Sequence, residues 1–207
     1  MKTLWQDYKL NFTIMRHPFE GFYAMKFGKK GKLRIAFINF FLLWLSVAFM
    51  SQYSSLIVSQ RHPLGINSFY EGMSLFGAIF LWSAANWSVT CLWDGEGKFK
   101  EIIMSICYSL TPIILTFIPL TIISNFMAFG EEPFFFLVRS IAIAFFVFLA
   151  FIGMITVHNF TVVKAVFTIA ATIFALLVIA FLASLLFTLW QQLFVFVLGI
   201  VNEIRFR

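Results

Sequence analysis

The sequence predicts an all-α, polytopic integral membrane protein, and three observations support this fold class. Of the 207 residues, 61% are hydrophobic and 12% are charged, whereas soluble domains carry roughly 25% charged residues. The mean hydropathy is +0.94. The chain therefore has more apolar surface than one water-soluble core can bury. The apolar residues also form several runs of about 20 residues or more, the length that a helix needs to cross the hydrocarbon core.

The apolar runs predict five transmembrane helices, with boundaries near residues 35–58, 69–93, 102–127, 134–157 and 165–189. The second run contains Gly and Ala residues, which let helices approach closely. In the third run, Pro112 and Pro119 lie nearly two turns apart and should bend the helix on one face. The carbonyl groups that they free need partners within the bundle, and Ser109, Thr111 and Thr116 are candidates.

The C-terminal run is too long for one crossing. From Ala165 to Val201 it would form a helix of about 55 Å at 1.5 Å per residue. We therefore expect a break near Trp190-Gln191-Gln192, followed by a short terminal helix over residues 193–205. A sixth span is the alternative, but Leu193–Val201 is too short to cross alone.

Residues 1–34 form a basic segment before the first span. An apolar stripe at helical spacing predicts a short amphipathic helix on the membrane surface up to about Arg16, where Pro18 interrupts the pattern; the stripe comprises Trp5, Tyr8, Phe12, Met15, Phe19 and Phe22. A partly ordered tail is the alternative. Five bases between Lys26 and Arg34 form a collar that ordinary positive-inside anchoring explains without a specific lipid site.

The distribution of charge predicts the orientation of the chain. With the N-terminus inside, eleven Lys and Arg residues lie on the inner side and four on the outer side. This imbalance favours a cytoplasmic N-terminus and an external C-terminus. It also explains the net charge of +6 better than nucleic-acid binding does.

The connection after the second span is the first candidate site. It is a short charged turn between long apolar runs, and it could dock a partner or bind a cation. The partner-docking candidates are Asn86, Trp87, Asp94, Glu96, Lys98 and Lys100. Two carboxylates are too few for a calcium loop, and a solvated turn with Glu101 favouring the dipole of the next helix is the alternative.

Glu71 and Arg139 are a candidate intramembrane polar pair. Each lies within a predicted span toward the outer face, and a charge at membrane depth needs a partner or a water-filled cavity. We expect the two side chains to lie close together or to share a polar pocket with Gln52. The alternative is that Arg139 extends to the interface near Glu131 or Glu132.

The sequence offers no recognisable catalytic set, phosphate-binding loop or HExxH motif, so an enzyme is not expected. Cys91 and Cys107 form neither a disulfide framework nor a metal-ligand spacing with the histidines. His17 and His158 are expected in connections on the same side, without ligand spacing. We therefore predict no cofactor and no metal, and Asn86 could serve simply as a hydrogen-bonding group between helices.

The loop and its flanks resemble a known family. Asn86-Trp87, Asp94-Gly95-Glu96-Gly97 and Tyr108-Ser109-Leu110-Thr111-Pro112 are similar to the signature of the Yip (Ypt/Rab-interacting protein) family of five-span membrane proteins. His17–Tyr23 and Lys26–Gly31 resemble its bacterial branch. The resemblance implies a cytoplasmic N-terminus and an association with carbohydrate ABC importers. Binding of Rab-type GTPases is not expected, because the long N-terminal region of the eukaryotic members is missing.

Two functional hypotheses follow. The first is a non-catalytic accessory protein of the cell membrane that docks on other membrane proteins, such as the permease subunits of a carbohydrate importer, and that could also form homo-oligomers. Its contact surfaces would be the small-residue face of the second span and the 94–101 loop. The second hypothesis is a small solute transporter or a lipid-handling or membrane-shaping protein that uses the bend at Pro112 and Pro119.

Overall fold

The computed structural model describes residues 2–59 and 67–205, and this part of the chain contains helices and no strands. The helices are α1 (Lys2–Arg16), α2 (Pro18–Lys26), α3 (Leu33–Tyr53), α4 (Ser68–Leu92), α5 (Phe99–Ser109), α6 (Thr111–Ser124), α7 (Glu132–His158) and α8 (Val162–Arg205). Five segments are long and apolar enough to cross a membrane: α3, α4, α5–α6, α7 and α8. The predicted all-α, five-span fold class is confirmed. The segment Arg61-His62-Pro63-Leu64-Gly65, for which the sequence predicts a turn, lies outside the described residues.

Polar side chains determine where the first two spans end and begin. Helix α3 ends at Tyr53 rather than near Val58. Ser54 is extended, and the backbone N–H of Ser55 donates to the Ser124 hydroxyl at 3.2 Å instead of continuing the helix. Helix α4 begins at Ser68 because the Asn67 side chain caps it. Asn67 Oδ1 accepts hydrogen bonds from the backbone N–H groups of Phe69 and Tyr70, at 3.1 and 3.2 Å.

The third span is interrupted where the first proline occurs. Helix α5 ends at Ser109 and α6 begins at Thr111. Pro112 has no N–H to donate to the carbonyl of Tyr108, and the Thr111 hydroxyl donates to that carbonyl at 2.8 Å instead. Pro119 lies inside α6 without ending it. The helix is therefore interrupted next to Pro112, with one of the expected hydroxyl partners in place, and the bend itself stays a prediction.

Helix α8 corrects the prediction for the C-terminus. It runs from Val162 to Arg205 as one helix of 44 residues, so the break expected near residues 190–192 is absent and residues 193–205 form no separate helix. The reason is local: glutamine is a good helix former, and no proline or capping residue interrupts the ladder there. Bilayer thickness governs how a helix lies in the membrane, not where its hydrogen bonds end.

The N-terminal helices belong to the core of the bundle. Helix α1 ends at Arg16 as predicted, but the side chains that it buries are Leu10, Asn11 and Ile14. Of the predicted apolar stripe, Phe22 is fully buried, whereas Trp5 and Phe19 are about 60% exposed, at 63% and 58%. The chain bends at His17, where the sequence predicts an interruption at Pro18, so the two parts of the stripe lie on separate helices.

The central element of the bundle is the α5–α6 span. It contacts α3 on one side and α7 on the other, and α4 packs against α5. In the most apolar window of each span, 67% of the residues are buried in α5–α6 and 6% in α8. Helix α8 packs mainly on α4, through Ala165, Thr168 and Thr172 near its beginning.

Candidate functional site

The predicted loop forms a tight turn after α4. Asp94 adopts a left-handed backbone conformation with φ +53°, and the N–H of Gly95 donates to the carbonyl of Thr90 at 2.8 Å. Such a turn satisfies a carbonyl group at the end of a helix. The side chains of Asp94 and Glu96 are exposed. We call this turn, together with α1, α2, the last two turns of α7 and the side chains of α3, α4 and α5 that pack against them, the loop end of the bundle.

The two glycines of the loop lie directly against His158. A Cβ atom on Gly95 would come within 2.7 Å of the His158 Nδ1 atom, and one on Gly97 within 2.6 Å of its Cε1 atom. Real Cβ atoms do not approach this closely, so the Gly-x-Gly spacing is required for contact with the imidazole ring. Phe160 stacks on the same ring, with centroids 5.2 Å apart.

Asn86 joins three helices through one chain of hydrogen bonds. Its Nδ2 atom donates to the Thr172 hydroxyl on α8 at 3.3 Å, and that hydroxyl donates to the Thr168 carbonyl at 2.7 Å. The Asn86 Oδ1 atom lies 3.2 Å from the His158 Nε2 atom on α7. Because Oδ1 can only accept, Nε2 carries the proton in this assignment. The Nδ1 atom of His158 is then an acceptor, and it is buried without a hydrogen-bond partner in the described structure.

Lys26 connects the N-terminal helices to this site. Its ammonium group donates to the Val157 carbonyl at 2.8 Å and pairs with the Glu96 carboxylate at 3.4 Å. The side chain of Lys26 is 8% exposed and that of Glu96 is 54% exposed. A cation at the carboxyl end of α7 also interacts favourably with the helix dipole. Lys26, which the sequence places in the basic collar, thus forms a buried contact between α2, α7 and the loop.

Buried amides hold α1 against the bundle nearby. The side chains of Asn11 and Asn39 exchange two hydrogen bonds of 3.0 Å, and Asn39 also donates to the Cys107 carbonyl at 3.2 Å. The hydroxyl of the fully buried Tyr108 accepts from the backbone N–H of Lys32 at 3.2 Å. These bonds connect α1, α3 and α5.

The remaining loop candidates lie at the surface. The N–H of Lys98 donates to the Glu101 carboxylate at 3.1 Å, which caps the start of α5. The side chains of Lys98 and Lys100 are exposed. Trp87 is 44% exposed and packs edge-on against Phe99, with ring centroids 6.2 Å apart. The loop candidates therefore divide into one buried connector, Asn86, and an exposed charged and aromatic surface.

Glu71 and Arg139 occupy different surroundings. Ser51 donates to a carboxylate oxygen of Glu71 at 2.7 Å, and Gln52 donates to the Ser68 hydroxyl at 2.7 Å close by. The side chain of Arg139 is exposed on α7. The ion pairs among residues 2–59 and 67–205 are Lys26–Glu96 and Lys32–Asp7. The Glu71–Arg139 pair stays a prediction, and additive destabilisation by Glu71→Gln and Arg139→Gln in a double-mutant cycle would refute it.

Sequence reasoning missed His158, Lys26 and Thr172. His158 was expected in a connection, but it is the last residue of α7 and is 1% exposed. The left-handed Asn159 that follows it, at φ +56°, is a usual end for a helix and could have placed His158 inside. The contacts of Lys26 and Thr172 depend on long-range packing, for which the sequence carries no local signal.

The described residues hold no group of three or more His, Cys, Asp or Glu side chains arranged to bind a metal ion. The chemistry that the loop end offers is hydrogen bonding, ion pairing and apolar contact. Its charged side chains are held by a rigid frame of glycines, buried amides and Lys26. Such a surface suits recognition of another molecule.

Comparison with known proteins agrees with this arrangement. The Yip1 domain matches residues 12–185, which include α2, the 94–101 loop, α7 and about the first half of α8. No curated protein and no solved structure matches the chain. Because the match covers most of the sequence, the chain belongs to the Yip1 domain family of membrane proteins.

Proposed function

We propose that this protein is a non-catalytic docking protein of the cell membrane, and that α8 is its contact surface for other membrane proteins. The observation that carries this proposal is the exposure of α8: every residue from 181 to 200 is exposed. The other four spans pack against one another, whereas α8 contacts mainly α4 and, less extensively, α7 among the spans.

The length of α8 supports the idea that protein, rather than lipid alone, covers part of its apolar surface. Its apolar part, Val162–Ile200, has 39 residues, about 58 Å at 1.5 Å per residue. A hydrocarbon core of about 30 Å would contain this length only at a tilt of about 60°, whereas membrane helices tilt by roughly 0–40°. Part of the apolar surface therefore extends beyond the hydrocarbon core, where a second protein is the favourable cover.

The loop end supplies a second, polar contact surface. Asp94, Glu96, Lys98 and Lys100 are exposed on a frame that Lys26 and the two glycines hold in place. A rigid surface loses little conformational entropy on binding. The Lys26–Glu96 contact supports the N-terminus and this loop lying on one side of the membrane, and the excess of Lys and Arg there favours the cytoplasm.

The partner class follows from the resemblance of the N-terminal segment. His17–Tyr23 and Lys26–Gly31 favour the bacterial branch of the family, whose members the resemblance associates with carbohydrate ABC importers. We therefore take the permease subunits of such an importer as the partner to test. Rab-type GTPases are not proposed.

Site-specific photocrosslinking in cells tests the docking role of α8. A benzophenone amino acid would replace the exposed residues Phe187 and Phe194, with Phe41 on α3, which is 50% exposed, as the matched control. We expect protein adducts containing a membrane protein from both α8 positions and none from Phe41. Lipid adducts alone at all three positions, or adducts only between two copies of this chain, would refute docking by α8.

Co-purification in mild detergent tests the loop end and the partner. We expect importer permease subunits to accompany the full chain, and Lys98→Glu with Lys100→Glu to weaken the association. Both side chains are exposed, so the folded state should be kept. A variant that no longer crosslinks from positions 187 and 194 could still recover as much permease as the unmodified chain. That result would indicate that the two surfaces act separately, and it would contradict the proposed single docking role.

A further inference from the structure

An apolar cavity of about 660 Å³ lies between α4, α5, α7 and α8. Ala78, Ile79 and Trp82 form one wall, and residues 144–151 of α7 form much of the other. Buried contacts of α8 end near Thr172, so its later turns do not cover this space. The volume lies within the range of about 300–1,000 Å³ that is usual for sites of small molecules.

The cavity has a polar end and an apolar end. Asn86, Ser105 and His158 line it near the loop end of the bundle. Ala78 and Ala144 are each about 21 Å further along their helices from Leu92 and His158, at 1.5 Å per residue. This distance reaches beyond the middle of a hydrocarbon core of about 30 Å. The polarity therefore changes from the membrane interface to the membrane interior, as it does along a lipid molecule.

Two buried donors at the polar end have unused hydrogen-bonding capacity. Ser105 is 4% exposed, and its hydroxyl makes no hydrogen bond to any described residue. Asn86 is 2% exposed; one N–H of its amide donates to Thr172, and the other has only the Met154 sulfur at 3.9 Å, a weak acceptor. Asn86 cannot offer its oxygen freely, because His158 already contacts it. Ser105 and the second amide N–H of Asn86 can therefore each donate to an acceptor that enters the cavity.

We propose that this cavity binds one acyl chain of a bilayer glycerolipid. Its ester carbonyl oxygen accepts hydrogen bonds from Ser105 and Asn86, and its chain extends between α4 and α7 toward the membrane centre. A helix of a partner protein fits this site less well, because its backbone carbonyl groups are already used within the helix. The proposal goes beyond docking by α8 and is independent of it.

Photolabelling in liposomes of phosphatidylcholine and phosphatidylglycerol tests the position of the chain. The full-length protein would be mixed with phosphatidylcholine that carries a diazirine on its acyl chain. We expect labels to concentrate on residues 78–82 and 144–151. Ala144→Trp and Ala78→Trp should each lower this labelling about tenfold by filling the cavity, whereas Ala183→Trp, on the exposed face of α8, should leave it unchanged.

Comparison of ester-linked and ether-linked photolipids tests the hydrogen bonds. The ester lipid should label the cavity more strongly, because an ether lacks the carbonyl oxygen, and Ser105→Ala should reduce this preference because only the Asn86 donor remains. Helical circular dichroism and thermal melting verify that each variant is folded. Labelling spread evenly over all exposed spans and insensitive to both tryptophan variants, or equal labelling by the two lipids in the wild-type chain, would overturn the proposal.

Discussion

The loop end of the bundle and the far half of α8 are held in place by different forces. At the loop end, residues distant in sequence meet through buried amides, a buried ammonium group and glycines in close contact with other helices. From residue 181 to 200, α8 has no buried residue. The first region is specified by the chain itself, whereas the position of the second must be set by what surrounds it.

The largest expected effect comes from overpacking the loop end. A Cβ atom on Gly153 would overlap the Ser105 hydroxyl and come within 3.0 Å of the Phe22 ring. We expect Gly153→Leu to lower the free energy of unfolding by about 3 kcal/mol, near the upper end of typical overpacking costs. Thermal or denaturant unfolding in detergent measures this change.

Gly77→Leu is the matched control, because a Cβ atom there would meet nothing within 4 Å. It should be neutral or slightly stabilising, since leucine is the better helix former. Equal destabilisation by the two substitutions would contradict the close packing of α7 on α5 and α2.

The buried amide pair should give the next largest effect. Asn39→Leu leaves the fully buried Asn11 amide and the Cys107 carbonyl without this partner, so we expect a loss of about 2 kcal/mol. Replacing both Asn11 and Asn39 by Leu should cost less than the sum of the single changes, because no amide is then left unpaired. A double-mutant cycle measures the coupling, and simple additivity would argue against the reciprocal pair.

Lys26 and Glu96 should contribute unequally to their ion pair. Lys26→Met removes a buried donor from the Val157 carbonyl and should cost about 1.5 kcal/mol. Glu96→Gln alters a side chain that is 54% exposed and should cost less than about 1 kcal/mol. Unfolding measured at low and at high salt distinguishes the two contributions. Salt should strongly screen the attraction to the exposed Glu96 carboxylate but not the buried hydrogen bond of Lys26. A larger loss for Glu96→Gln would reverse this assignment.

The smallest effect on stability is expected in α8. Phe187 is 62% exposed, so Phe187→Ala should change the stability of the isolated chain by less than about 0.5 kcal/mol. In a chain that carries Phe187→Ala, a benzophenone amino acid at position 194 should nevertheless crosslink less partner protein. A marked loss of stability in the isolated chain would show that α8 packs on its own bundle and would remove the contrast between the two regions.

The sequence predicted the spans better than it predicted the site. Long apolar runs must cross a bilayer whatever their partners are, so composition alone located the five spans. Bilayer thickness predicts a break that α8 lacks, because the thickness of the hydrocarbon core does not determine where a helix ends. The sequence predicts a turn at Asp94–Gly97, but it does not show what the two glycines contact. That they lie against His158 depends on the packing of α7, which local sequence does not encode.

The contact between Lys26 and Val157 has a consequence for biosynthesis. These residues are 131 positions apart, so at roughly 5–20 residues per second the ribosome makes the second about 7–26 seconds after the first. The residues of α2 are therefore made early but can dock on α7 only after the fourth span has been synthesised. An assembly factor that shields their apolar side chains during this interval would improve the yield of correctly folded protein.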